Sequence, residues 1–257
     1  MSKAKKESDM RAALKTDECL ICHAPLVYFE KPRTMECQIC HRDFQTNACC
    51  VNGHFVCDEC HTRGMDAIVG VCLSNTSRDP LEVLEELMSQ PFCHMHGPEH
   101  HTIVGAALLT AYRNAGGNVD LSDALDTMLL RGRQVPGGIC GMWGSCGAAI
   151  SAGIFVSIVT KSTPLESEAF GLANTMTSRA LAKIGAVGGP RCCKRDSYLA
   201  ILEAVQFTKE HLGVSMGETY PTCTRIAKNR QCIGNRCPFT PANVARRDAA
   251  QAVSPTK

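Results

Sequence analysis

The chain has 257 residues, 17 of them cysteine, with 44% hydrophobic and 20% charged residues and a formal net charge of +2. That balance suits a globular chain and supplies no bulk cationic footprint for nucleic acid or an anionic membrane, and no apolar run reaches the roughly 18 residues of a membrane span. An odd cysteine count, repeated Cys-x2-Cys pairs and the lack of an apolar core behind the basic Met1–Lys6 argue against a secreted disulfide scaffold. A cytoplasmic location follows as the expectation, with thiols reduced and open to metals.

Residues 1–17 are charged and aperiodic, which predicts a flexible lead-in. Residues 18–64 read as a metal module. Cys19-x2-Cys22, Cys37-x2-Cys40 and Cys57-x2-Cys60 are three half-sites, and Cys50 with His54 makes a fourth. Together they offer eight ligands to two structural Zn²⁺ ions. Spacing alone allows a RING-like or treble-clef cross-brace (Cys19/Cys22 with Cys50/His54, Cys37/Cys40 with Cys57/Cys60). It allows equally a ribbon built from the first two pairs in sequence. Either way the segment is too small to hold itself together without metal. Cys49 and His61 are left over.

Residues 65–240 carry helical patterning. Ala67 to Leu73 forms a short apolar connector. Asp79-Pro80-Leu81-Glu82 starts a helix with a cap, a proline and a carboxylate in the right order. Gly97-Pro98 precedes a second helix closed by Gly116-Gly117, and Asp120 caps a third. Thr163-Pro164-Leu165-Glu166 repeats the starting signature, and a last long helix runs from near Leu199 to Gly213. The expected fold class is mostly α, a helical metal/thiolate domain preceded by a small Cys-rich zinc-binding module. Residues 241–257 are polar and read as a flexible tail.

Four clusters lie between these helices. Met95 to His101 places Glu99, His100 and His101 in a first helical turn, where imidazole stays neutral; His96 and His100, with Glu99, form a candidate acid/base set. Gly137 to Ala149 holds Cys140 and Cys146 among five glycines, with the only tryptophan, Trp143, between them. Cys146 falls at a helix start, which favours a thiolate as ligand or nucleophile. Gly188 to Asp196 carries adjacent Cys192 and Cys193. One of them is expected as ligand and Cys193 as a catalytic thiol, with Arg191, Lys194 and Arg195 to bind an anion. Cys223, Cys232 and Cys237-Pro238 lack a nearby histidine and look like iron–sulfur ligands, their fourth partner being Cys140, Cys146, Cys192 or Cys193.

The ordered series Gly53-His54-x2-Cys57-Asp58-x-Cys60-His61, Met95-His96-Gly97-Pro98-Glu99-His100-His101, Gly137-Gly138-x-Cys140-Gly141-x-Trp143-Gly144-x-Cys146, Gly188-Gly189-Pro190-Arg191-Cys192-Cys193 and Cys232-Ile233-Gly234-x2-Cys237-Pro238 resembles an uncharacterised Cys/His-rich domain-of-unknown-function family. The resemblance covers roughly residues 19–240 and implies the setting of anaerobic bacteria and archaea, without a reaction.

These motifs give two functional expectations. The first is a metalloenzyme whose Cys-ligated, iron–sulfur site, with His acid/base help, carries out sulfur transfer, desulfuration or elimination on a small anionic or sulfur-containing substrate. The second is a metallochaperone or redox/sulfur-relay adaptor that docks a partner enzyme through its zinc module. No membrane and no nucleic-acid partner is expected, and oligomerisation is left open. Walker A, Rossmann and Cys-x3-Cys-x2-Cys sequences are absent, which disfavours ATP hydrolysis, nicotinamide hydride transfer and radical initiation.

Overall fold

The computed structural model describes residues 19–253, so the expected N-terminal lead lies outside the described residues. A β-hairpin opens it, β1 (Leu26–Glu36) pairing antiparallel with β2 (Asp43–Cys50) across an irregularity between Tyr28 and Arg33. Most of the hairpin is exposed. Its own core is three buried cysteines, Cys37, Cys57 and Cys60, with Phe44, Phe55 and a few half-buried neighbours. So little apolar area cannot offset the entropy of ordering the hairpin, which leaves room for metal to do so.

Ten α-helices follow among the described residues. They are α1 (Asp58–His61), α2 (Ala67–Ser74), α3 (Pro80–Ser89), α4 (His100–Asn114), α5 (Leu121–Gly132), α6 (Ile139–Met142), α7 (Gly147–Val159), α8 (Glu168–Val187), α9 (Cys193–Leu212) and α10 (Pro241–Val253). The hub is α4. Every residue from His100 to Tyr112 is buried, with α3, α5, α7 and α9 packed around it. A helix with no exposed face over three turns, its few polar residues at its start and at Thr110, sits inside such a bundle. No described helix is long and apolar enough to cross a membrane.

Local signals explain most boundaries. The Asp79 carboxylate accepts from Leu81 N at 2.8 Å, with Pro80 at the first helical position, a cap worth about 1 kcal/mol. Asp120 accepts from Asp123 N at 3.1 Å. Gly213 ends α9 with φ +68°, a conformation open to glycine at little cost.

Three expectations need correction. The helix predicted from Thr163-Pro164 starts only at Glu168; the Thr163 hydroxyl accepts from Leu165 N in a turn, and Leu165 is 95% exposed. The last long helix starts at Cys193 rather than near Leu199, because the polar first turn is buried and held by Cys192 Sγ, which accepts from Arg195 N at 3.5 Å. Residues 241–253 are a helix instead of a tail: Thr240 Oγ1 accepts from Asn243 N at 3.3 Å, Pro241 follows it, and Val244 is buried.

Candidate metal centres and the cleft between them

The N-terminal ligands gather into two quartets. Cys19, Cys22, Cys50 and His54 bring one ligand atom each within 4.8 Å of one another, and Cys37, Cys40, Cys57 and Cys60 do the same. Cys22 Sγ lies 3.8 Å from Cys50 Sγ and 3.2 Å from His54 Nδ1, and Cys40 Sγ lies 3.8 Å from Cys57 Sγ. Tetrahedral coordination with 2.3 Å metal–sulfur bonds puts sulfurs about 3.8 Å apart. The pairing is the interleaved one, and the sequential ribbon is excluded. Hairpin register produces it: Cys50 at the end of β2 pairs with Leu26, which carries it back beside the first Cys-x2-Cys knuckle.

Backbone amides prepare these sulfurs for negative charge. Donation from the Ala24 amide, then from Asn52, brings the Cys22 thiol down to about 6. Burial works against Cys37, yet the amides of Cys57, Cys40 and Ile39 bring it to about 6 as well. Burial pushes Cys57 up to about 12. Each quartet therefore mixes ready thiolates with thiols that need a cation to release their protons. Cys49 belongs to neither quartet. His61 turns away from both and sets Nδ1 3.4 Å from Glu99 Oε2 of the helical part.

Near the other end of the chain, Cys192, Cys223, Cys232 and Cys237 line one narrow cavity of about 20 Å³, walled by Tyr198 and Phe239. Each sulfur meets a backbone amide two or three residues on: Arg195 for Cys192, Arg225 for Cys223, Gly234 for Cys232 and Phe239 for Cys237. Such N–H···S turns are what thiolate ligands of metal centres use. Arg225 fastens the loop by a bidentate pair to Glu85, at 3.1 and 2.7 Å. Unlike the two N-terminal quartets, these four thiols do not close to mutual 4.8 Å spacing.

The main cleft, about 1730 Å³ of partly open space, runs between the hairpin module and the helical part. His96, Cys140, Trp143, Arg191 and Cys193 line it from the helical side and Tyr28 from the hairpin. Arg191 sits over the Tyr28 ring at 5.6 Å, and one of its terminal nitrogens is buried with no hydrogen-bond partner. Adjacent Cys192 and Cys193 face different spaces, the first the four-thiol cavity and the second the cleft. Asp58 of α1 accepts from Gly137 N at 2.8 Å and helps hold the module against the loop before α6.

Several expected site residues lie elsewhere. Lys194 is buried and donates to Cys93 Sγ at 3.1 Å; Arg195 is buried between Asp196 and the Pro190 carbonyl, both at 3.0 Å. Neither lines the cleft, because the first turn of α9 is packed inside the bundle. Arg191 alone of the three expected cations reaches it. His100 and Glu99 are buried behind the cleft, where Glu99 accepts from His94 N at 2.9 Å and lies 3.4 Å from His100 Nδ1. Cys146 packs inward against the helical core, and burial pushes it up to about 12 despite the amides of Ala148 and Ala149, so it is no exposed thiolate. Cys140 and Cys146 thus serve different surroundings.

Cys93, Glu99 and His100 also approach within 4.8 Å of one another. His100 donates Nδ1–H to the Gly97 carbonyl at 3.0 Å, so only Nε2 can face Cys93, while the Lys194 ammonium touches the same sulfur. A cation against the sulfur opposes a metal there, and the group reads as a buried charge network. Two participants had escaped the sequence reading. Asn229, 3% exposed, bonds to both His96 and Cys192. Tyr28 comes from a hairpin that cysteine spacing does not reveal.

An N-terminal module with two metal-capable quartets, a helical bundle and a cleft between them define a cysteine-rich metal-site protein. The chain belongs to the DUF5714 family, a family of unknown function, whose family model matches residues 68–240. The matched span is the helical part; the quartets fall outside it, so the resemblance expected from residue 19 onward holds from residue 68. No curated protein and no solved structure matches.

Proposed function

We propose that the chain is a metalloenzyme with three metal centres, two structural zinc ions in the N-terminal quartets and an iron–sulfur cluster on Cys192, Cys223, Cys232 and Cys237. In the adjoining cleft Arg191 holds a small anionic substrate, His96 moves a proton, and Cys193 acts as the thiol of a sulfur-transfer, desulfuration or elimination reaction. The observation that carries this reading is the division of Cys192 and Cys193 between two cavities. A ligand and a thiol one residue apart put metal and substrate on opposite sides of one turn of backbone; burial raises Cys193 as it does Cys146, so it stands in the cleft as a protonated thiol that must lose its proton on reaction.

The donor sets support the assignment of metals. Quartets closed to sulfur–sulfur distances of 3.8 Å suit one tetrahedral ion. Four thiols spread around a cavity, each with an amide donor and no histidine, suit a polynuclear cluster. When bound, the cluster would supply an electron reservoir beside the cleft, with four thiolates leaving no iron open to substrate. His96 itself is neutral at pH 7, since burial and then the charge of Arg191 bring its pKa to about 4. Its lone pair is therefore free, though as a weak base it takes a proton only where negative charge develops beside it.

Metal and labile-sulfide analysis of anaerobically prepared protein tests the proposal. Wild type is expected to hold zinc, iron and sulfide, and Cys223→Ala and Cys237→Ala to lose iron and sulfide while keeping zinc. Zinc as the sole metal, with no labile sulfide, would remove the cluster.

A further inference from the structure

We infer that Asn229 is a positioning residue joining the cleft to the cluster cavity, fixing the tautomer of His96 with one end of its amide and donating to the Cys192 sulfur with the other. The inference rests on the cluster reading for its second half only.

The amide can be oriented unambiguously. Asn229 Oδ1 lies 2.8 Å from the backbone N of Gln231, which can only donate, so the oxygen must face that amide. The same oxygen lies 3.2 Å from His96 Nε2. His96 must then carry its proton on Nε2 and donate it. Nδ1 is left unprotonated, buried and without a hydrogen-bond partner, on a residue that lines the cleft. The Asn229 NH2 group points the other way and donates to Cys192 Sγ at 3.4 Å, adding to the Arg195 amide on that sulfur. One buried side chain thereby fixes which nitrogen of His96 is basic and how electron-rich a cluster ligand is.

Both ends matter chemically. An imidazole held by Nε2–H presents a defined lone pair for proton transfer. A hydrogen bond to a cluster sulfur favours the reduced, more negative state and raises the potential. A plain Asx turn with Gln231 would need only the oxygen; it gives no reason for a bond to either His96 or Cys192.

The experiment uses the full chain prepared anaerobically, with ¹⁵N-labelled histidine, after iron and sulfide analysis. Long-range nitrogen–proton spectra should show His96 as the Nε2–H tautomer in wild type and in Asn229→Asp, which keeps the acceptor, and as mixed tautomers in Asn229→Ala. The cluster midpoint potential should fall in both variants, since both lose the donor to Cys192. A wild-type Nδ1–H tautomer, or a potential unmoved in both variants, would overturn the inference. The wild-type tautomer needs neither a folded variant nor iron, so it is readable if a variant does not fold. Absence of iron and sulfide would defeat the cluster reading and the second half of the inference with it, separately from the tautomer result.

Discussion

His96 shows how far the fold changes a side chain that looks ordinary in the sequence. Burial, reinforced by Arg191, lowers its pKa from 6.5 to about 4. Burial lowers His100 and His101 in the same direction. A histidine depressed in the native state binds its proton more readily when unfolded. Its contribution is fully present above pH 6.5 and is lost as pH falls toward 4. Glu99 extends the trend: burial would raise it, but His61 and His100 hold it at about 2, so its contribution is lost below the ordinary carboxylate range. Denaturant unfolding at pH 7 and pH 5 should show the protein weaker at pH 5. His96→Gln should shrink that difference by about 2 kcal/mol, because only the roughly 1.5 units between pH 6.5 and pH 5 fall inside the measured window at 1.36 kcal/mol each. An unchanged difference would mean that His96 titrates normally.

The elements show why one signature succeeds and fails within the same chain. Thr-Pro occurs at Thr163-Pro164 and again at Thr240-Pro241. The first is followed by Leu165, which has nothing to bury against, and the helix waits until Glu168. The second is followed by Val244, which packs, and the helix starts at once. A cap is local; the burial that rewards it is not, and that difference cannot be read from four letters. Capping signals and periodicity did reveal α3, α4 and α5, the expected helix start at Cys146 matched α7, and Cys-x2-Cys spacing revealed the N-terminal ligands. Neither could show which knuckles pair, because hairpin register decides it, nor that Asn229 matters, because its partners lie 133 and 37 residues away. The glycine-rich loop makes a prediction at this scale. A Cβ on Gly147, the first residue of α7, would collide with the His101 ring, whereas one on Gly141 meets nothing within 4 Å. Gly147→Ala should cost about 1–3 kcal/mol by thermal or denaturant unfolding, and Gly141→Ala under about 0.5 kcal/mol.

At the scale of the whole molecule, one part has a large apolar core and the other has little apolar core but two quartets that could hold metal. The helical bundle buries a continuous cluster from Met65 to Phe239, while the hairpin module's own cluster centres on just Cys37, Cys57 and Cys60. Chelation of the N-terminal metals should therefore make residues 19–61 sensitive to limited proteolysis and leave the helical part resistant, with little loss of helical circular dichroism. Equal cleavage of both parts would contradict a module held by metal. Because Tyr28 and Asp58 belong to the cleft's hairpin side, the same treatment should open the cleft. The interleaving of the two quartets adds a topological consequence. The loop closed from Cys19 to His54 spans 35 residues, and the one joining Cys37 to Cys57 spans 20. Each loop contains half of the other's ligands, so any contiguous fragment that holds one whole quartet also carries half of the other. With either ion in place the second loop is already partly closed, and its remaining closure entropy is smaller. Metal titration of the two quartets should therefore show them filling together, and independent filling would contradict this coupling.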